Sequence, residues 1–286
     1  MSFLKVVVLA IVQGFAELLP VSSSAHVVVA EKLMGLDPSA PSMTLLLVML
    51  HTGTMFAVIV YFWRRWRATY FSSLAQFKRT ATQVIVATAL TGVIGEGLTL
   101  LIEKTAFRGV PHAQIEDLFS HLELIAPALA AAGILILVAG LRERSARGQP
   151  AAGDLTTRQV SLIGAVQGLC LPFRGFSRSG ATISVGMLGG VAKASAENFS
   201  FALAVVLTPP VVAREALRVL QAEHGGAGAL AGAAVPSLLG ALLSFLAGLV
   251  ALKWLSGWLE NGRWYLFGGY CLVAAVAVGG LYFAGY

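Results

Sequence analysis

Apolar residues run almost unbroken at six places along the chain, Met43–Trp63, Ala81–Ile102, Leu124–Leu141, Phe199–Val219, Leu230–Leu252 and Trp264–Ala284. Each approaches the roughly 20 residues a helix needs to cross about 30 Å of hydrocarbon. Lipid offers no partner to a backbone N–H or C=O, so a spanning segment that is not part of a closed barrel must be helical. Two further stretches follow another pattern. Residues 3–35 form a short apolar run, the break Pro20-Val21-Ser22-Ser23-Ser24-Ala25-His26, and a second short run. Residues 159–192 repeat this around Pro172-Phe173-Arg174-Gly175-Phe176-Ser177-Arg178-Ser179-Gly180. No half-run is long enough to span, and each break carries Pro or Gly. The pattern predicts re-entrant helical hairpins, with two strongly kinked spans as the other reading.

The two broken stretches resemble each other. Val12-Gln13-Gly14-Phe15 corresponds to Val166-Gln167-Gly168-Leu169, and serine clusters follow at Ser22–Ser24 and Ser177–Ser179. The chain therefore reads as one membrane domain made of two repeats, 1–150 and 151–286, each a hairpin plus three spans. A hairpin returns to its own side and three spans cross an odd number of times, so the second repeat enters from the opposite face. The fold class expected is an all-α polytopic membrane protein, with six transmembrane helices and two re-entrant hairpins in an inverted-topology repeat.

Composition agrees: 57% of the 286 residues are apolar and 12% charged, where about 25% charged is usual for soluble chains. The net charge of +6 sits in short loops and not on one basic helix, which argues against nucleic acid as a partner. The loop with Arg64, Arg65, Arg67, Lys78 and Arg79 and the loop with Arg142, Arg144, Arg147 and Arg158 are expected in the cytoplasm. The loop at 103–123 sets Lys104 and Arg108 against Glu103, Glu116, Asp117 and Glu123, which suits the outside. Both termini then lie outside and the hairpin tips can meet near mid-membrane. Cys170 and Cys271 sit in apolar stretches and read as small hydrophobes. Lys5, the run Val6–Val12 and Ser23-Ser24-Ala25 imitate a secretory signal, but Gln13, Glu17 and the second copy of the segment argue against cleavage.

The breaks carry the candidate chemistry. Gln13 and Glu17 are four apart and share a helical face. Ser22, Ser23 or Ser24 can cap a new helix, and Ser23 and His26, three apart, outline a nucleophile and a base. Serines at a membrane break also serve simply to satisfy backbone groups, whereas an ionisable Glu17 in an apolar stretch marks a cavity or a partner. Gly175, Ser177, Arg178, Ser179 and Gly180 lead into a helix and form an anion cradle of N–H groups, hydroxyls and a guanidinium fork. Glu17 paired with Arg178 as structural glue is the alternative. His51 and Thr52 open the polar patch His51-Thr52-Gly53-Thr54 in the first span, where helix packing is the expected role.

At these residues the sequence resembles the bacterial undecaprenyl-diphosphate phosphatases of the bacitracin-resistance type. Gln13-Gly14-Phe15-Ala16-Glu17 with Pro20-Val21-Ser22-Ser23-Ser24-Ala25-His26 matches one family motif, and Gly175-Phe176-Ser177-Arg178-Ser179-Gly180 the other. The resemblance implies hydrolysis of undecaprenyl diphosphate to the monophosphate and phosphate, recycling the lipid carrier for cell-wall synthesis at the outer face of the cytoplasmic membrane. It implies Glu17, Ser23, His26 and Arg178 as catalytic residues, with either Ser23 or water as nucleophile. Gln13, Ser22, Ser24, Arg174, Ser177, Ser179 and Gly180 are implied in substrate binding. Glu17 with Gln13 is the implied seat of Mg²⁺ or Ca²⁺. Arg174, Ala25 and Gln13 depart from the usual family residues, and Gln13 withholds a carboxylate from that ion. Expected partners are the polyprenyl diphosphate lipid and membrane lipids, with a homodimer allowed. A transporter of a polyprenyl phosphate or another anion is the rival reading, because inverted repeats with broken helices also build transporters.

Overall fold

The computed structural model describes residues 2–36, 41–106, 118, 121–145, 154–222, 226–259 and 263–286. Arg108, Glu116, Asp117 and Arg147, used above for orientation, lie outside the described residues. The described residues form ten helices: α1 (Phe3–Leu18), α2 (Ser23–Leu33), α3 (Pro41–Thr69), α4 (Leu74–Ala106), α5 (Leu122–Ser145), α6 (Thr157–Cys170), α7 (Arg178–Leu188), α8 (Lys193–Ala222), α9 (Gly226–Leu259) and α10 (Trp264–Phe283). Six are long and apolar enough to cross a membrane, over Leu45–Thr69, Leu74–Thr105, Leu122–Ser145, Lys193–Arg214, Ala234–Trp254 and Trp264–Phe283. The protein is an all-α multi-pass membrane protein.

The second and fourth spans begin earlier than their apolar runs suggest, the second at Leu74 in place of Ala81. Lys193, Glu197 and Asn198 break the hydrophobic pattern, so the sequence starts the helix at Phe199, yet α8 begins at Lys193. The Lys193 ammonium lies 3.4 Å from the Glu143 carboxylate of α5, which lets a charge enter the helical end.

The other four helices are short. At about 1.5 Å per residue, the 16 residues of α1 reach about 24 Å, and the 11 residues each of α2 and α7 about 16 Å. The 14 residues of α6 reach about 21 Å. None reaches the roughly 30 Å of a hydrocarbon core. Within each pair the helices pack on one another, α1 on α2 and α6 on α7.

Packing divides the chain into two compact units. The first comprises residues 1–19, 23–63 and 204–257. Its core joins Val6, Leu9 and Ala10 of α1, Val27 of α2, and Met43, Leu46 and Leu50 of α3. Helix α9 supplies a stripe of small residues that lets backbones approach, as membrane helices require in place of a hydrophobic drive. A methyl on Gly14 of α1 would lie 2.5 Å from Ala247 Cβ and 2.9 Å from the Ser244 carbonyl oxygen. The Ser244 hydroxyl donates to the Leu50 carbonyl of α3 at 3.0 Å, so α9 seats both α1 and α3.

The second unit comprises residues 20–22, 64–203 and 258–286. Here α6 docks on α4: a methyl on Gly168 would lie 2.8 Å from the Thr91 carbonyl oxygen and 2.9 Å from Ile94. The Thr91 hydroxyl donates to Gly164 O at 3.0 Å and accepts from Gln167 Nε2 at 3.2 Å. Gly14 in the first unit and Gly168 in the second thus meet equivalent partners, Ser244 with Thr91, Ala247 with Ile94, and Gly248 with Gly95. Helices α1 and α6 each dock on the second long helix of the other half of the chain. Helix α6 starts from a capping box, with Gln159 N–H donating to Thr156 Oγ1 and Thr156 N–H to Gln159 Oε1. Helix α10 lies along α5, and its Trp264 indole donates to Ser184 of α7 at 3.0 Å.

Candidate functional site

In the first unit, Gln13 and Ser23, from either side of the first break, meet one carboxylate. Gln13 and Glu17 stand one turn apart on α1, and the Gln13 side-chain amide donates to Glu17 Oε2 at 3.2 Å. The chain leaves α1 through Leu19 in extended conformation. It reverses through Ser22, whose φ of 67° is left-handed, a region few residues other than glycine adopt. That reversal brings the first residue of α2 back to α1: the Ser23 hydroxyl donates to Glu17 Oε2 at 2.5 Å. This is the length of a hydroxyl bound to an ionised carboxylate.

A fourth group comes from α3. His51 Nε2 lies 3.6 Å from the same Glu17 Oε2, with the Glu17 side chain 15% and the His51 side chain 43% exposed. His51 Nδ1 is 2.8 Å from the Leu47 carbonyl oxygen. A carbonyl only accepts, so Nδ1 carries a proton and in the neutral ring Nε2 presents its lone pair. Gln13 is fully buried. Its Oε1 has no hydrogen-bond partner.

The placement of His51 follows from packing and not from local sequence. A methyl on Gly53 would sit 2.1 Å from the Ala241 carbonyl oxygen of α9. That close approach, with the Ser244–Leu50 bond, fixes this turn of α3. Thr54 donates to the His51 carbonyl at 2.9 Å and Thr52 to Val48 O at 2.9 Å, so the patch satisfies its hydroxyls on its own helix. Sequence spacing assigns His51 to packing and points Ser23 toward His26. The structure instead gives the Ser23 proton to Glu17 and adds His51 to the group. His26 and Ser24 are half-buried on the first turn of α2. The one local signal for His51 is a polar ring inside a span, which lipid does not tolerate on its own face.

In the second unit, the break between α6 and α7 brings Arg174, Gly175, Ser177, Arg178 and Ser179 to the start of α7. Gly175 has φ 99°, and a side chain there would meet the Ile125 carbonyl oxygen at 2.5 Å, so only glycine lets the loop lie against α5. Ser177 caps α7: its Oγ accepts from Gly180 N–H at 3.2 Å. The cap uses the oxygen as acceptor, so the hydroxyl proton is not spent on it. Gly180 is required by packing, since a methyl would lie 2.6 Å from Ile136 Cδ1 and 3.0 Å from Ser177 Oγ. Arg178 opens α7 at its positive end, half-buried, with Ser179 buried behind it and Arg174 half-buried in the loop before it. Thr182 donates to the Arg178 carbonyl at 2.8 Å and its hydroxyl pairs with Ser200 at 2.6 Å, which ties the first turn of α7 to α8.

No group of three or more His, Cys, Asp or Glu side chains converges among the described residues. Beside the Glu17 carboxylate stand the His51 imidazole, the Gln13 amide and the Ser23 hydroxyl.

Residues 6–277 match the family described as bacitracin resistance protein BacA. A protein of Acinetobacter baylyi named undecaprenyl-diphosphatase 2 is 60% identical over 276 residues, covering 95% of either chain. A Burkholderia ambifaria protein of the same name is 33% identical over 96% of this chain and 95% of its own. Undecaprenyl-diphosphatase 1 of Burkholderia pseudomallei is 34% identical with the same coverage. With the match running through both polar breaks and five spans and into the sixth, the chain belongs to the bacitracin resistance protein BacA family.

Proposed function

We propose that the protein is an integral membrane hydrolase that converts undecaprenyl diphosphate to undecaprenyl phosphate and inorganic phosphate, recycling the lipid carrier of cell-wall synthesis and thereby conferring bacitracin resistance. Family membership and the 60% identical undecaprenyl-diphosphatase support the reaction. The observation that carries the residue roles is the 2.5 Å bond from Ser23 Oγ to Glu17 Oε2.

A hydroxyl already bonded to a carboxylate can attack phosphorus as its proton leaves. The Ser23 Oγ–P bond forms, the bond from the terminal phosphorus to the bridging oxygen breaks, and undecaprenyl phosphate departs. The Ser23 proton passes to Glu17. Water then hydrolyses the phosphoseryl bond with His26 as general acid or base, releasing phosphate. Arg178 binds the terminal phosphate through its planar fork, while Ser177 and Ser179 donate hydroxyl protons to its oxygens and Arg174 adds positive charge. Ser22 and Ser24 flank Ser23 and contribute hydroxyls to binding. Gly180 acts by holding the Ser177 cap.

A divalent ion is part of the proposal. The buried, unpartnered Gln13 Oε1 and the Glu17 carboxylate one turn on are the oxygen donors it requires, and these two residues would hold it. When bound, the ion neutralises charge on the diphosphate oxygens.

The short pairs are proposed as re-entrant hairpins, 3–35 entering from outside and 159–192 from the cytoplasm, in repeats 1–150 and 151–286 of inverted topology. Helices of about 16–24 Å and the equivalent docking of Gly14 and Gly168 support this reading. The basic residues after α3 support a cytoplasmic position for that end, and we propose that catalysis opens to the outer side of the cytoplasmic membrane.

Phosphate release from undecaprenyl diphosphate by detergent-solubilised protein tests the proposal, because a carrier has no gradient to work on there. Glu17→Gln and Arg178→Ala should each reduce turnover by about 10²-fold or more. Near-normal release from both variants would end the assignment.

A further inference from the structure

Four observations around His51 point beyond these roles. Its Nδ1–H is committed to the Leu47 carbonyl at 2.8 Å. That is the arrangement by which metal-binding histidines fix their tautomer and aim the second nitrogen. The aimed nitrogen, Nε2, faces Glu17 Oε2 at 3.6 Å, too long for a hydrogen bond. With bonds of about 2.1 Å, two ligands of one ion stand about 3.0–3.6 Å apart at angles of 90–120°. The Glu17 carboxylate is itself braced by Ser23 and Gln13, as ligating carboxylates are. The buried Gln13 side chain reaches the same carboxylate through its amide Nε2, and its Oε1 has no hydrogen-bond partner.

We propose that His51 is a ligand of the divalent ion, forming with Glu17 and Gln13 a mixed nitrogen–oxygen site whose preference lies with Mn²⁺ over Mg²⁺ and Ca²⁺. The imidazole supplies the strong donor that the amide at position 13 withholds. Oxygen-only sites suit Mg²⁺ and Ca²⁺, whereas a nitrogen ligand favours first-row transition ions. The remaining coordination positions fall to substrate oxygens and water. The inference rests on the ion of the proposed hydrolase and not on the identity of its substrate.

The test uses the full-length protein in detergent with Mn²⁺ alone as probe. Pulsed electron paramagnetic resonance should detect a histidine nitrogen coupled to bound Mn²⁺ in the unaltered protein and in His26→Ala. The coupling should vanish in His51→Gln and in His51→Asn, each checked for helicity and monodispersity. Mn²⁺ affinity should fall tenfold or more in these two variants, and Mg²⁺ affinity by less. Absence of coupling in the unaltered protein, or its survival in both His51 variants, overturns the inference. Phosphate release without nitrogen coupling would leave the hydrolase standing and remove His51 from the ion. Nitrogen coupling without phosphate release would keep the ion site and remove the hydrolase.

Discussion

Gly53 offers the sharpest test of how the Glu17 group is held. A methyl at this position would lie 2.1 Å from Ala241 O and 2.9 Å from Ala241 C, both backbone atoms of α9 with no flexible end to swing away. To reach even 3.0 Å, the tightest contact a real Cβ tolerates, α3 must withdraw from α9 by about 0.9 Å. The Ser244–Leu50 bond, now 3.0 Å, then stretches past hydrogen-bond range. Overpacking costs about 1–3 kcal/mol and the lost bond about 0.5–1.5 kcal/mol. Together they amount to roughly 2–4 kcal/mol, or a fall of roughly 5–10 °C in melting temperature. His51 sits two residues from Gly53 and must move with it, and a displacement of about 1 Å at a reacting group costs about 10²-fold in rate. Gly53→Ala should therefore melt early in detergent and release phosphate from undecaprenyl diphosphate about a hundredfold more slowly. The matched control is Gly92→Ala on α4, where nothing lies within 4 Å of the added methyl; it should be neutral or stabilised by up to about 1 kcal/mol. If Gly53→Ala melts and turns over like Gly92→Ala, the close seating of α3 on α9 is wrong.

Further outcomes follow from the same geometry. Ser23→Ala should lower phosphate release by at least about 10²-fold and abolish a trapped phosphoryl-enzyme; normal trapping would assign the nucleophile elsewhere. Arg178→Lys keeps the charge and loses the planar fork, so KM for the diphosphate should rise about tenfold or more, and an unchanged KM would remove Arg178 from the phosphate. Gly14→Ala and Gly168→Ala should destabilise alike, by about 1–3 kcal/mol each, since both methyls meet backbone and Cβ atoms at 2.5–2.9 Å; thermal melts that differ widely would contradict equivalent docking. Asp154→Asn breaks the Arg79 bridge, whose side chains are 47% and 73% exposed, and should leave the melting point within measurement error because such pairs contribute about 0–1 kcal/mol.

What was legible in the sequence divides along physical lines. Span length and helical period are local properties, so the six crossing helices could be read directly, apart from the starts of α4 and α8. In α8 the pattern breaks at Lys193, and its partner Glu143 is fixed only by tertiary packing. Gln13 and Glu17 were legible because a helix puts residues four apart on one face. The bond from Ser23 to Glu17 was not, because it depends on a reversal that carries Ser22 through a left-handed conformation which sequence pattern does not announce. His51 was harder still. It comes from another helix, and its position is set by two small residues and a hydroxyl, Gly53 and Ala241 in contact and Ser244 bonded to Leu50. In lipid a stripe of small residues does the orienting work that a hydrophobic core does in water. A polar group that such a stripe positions leaves no periodic signature of its own, so the chemistry at Glu17 is encoded partly in residues of α9 that carry none.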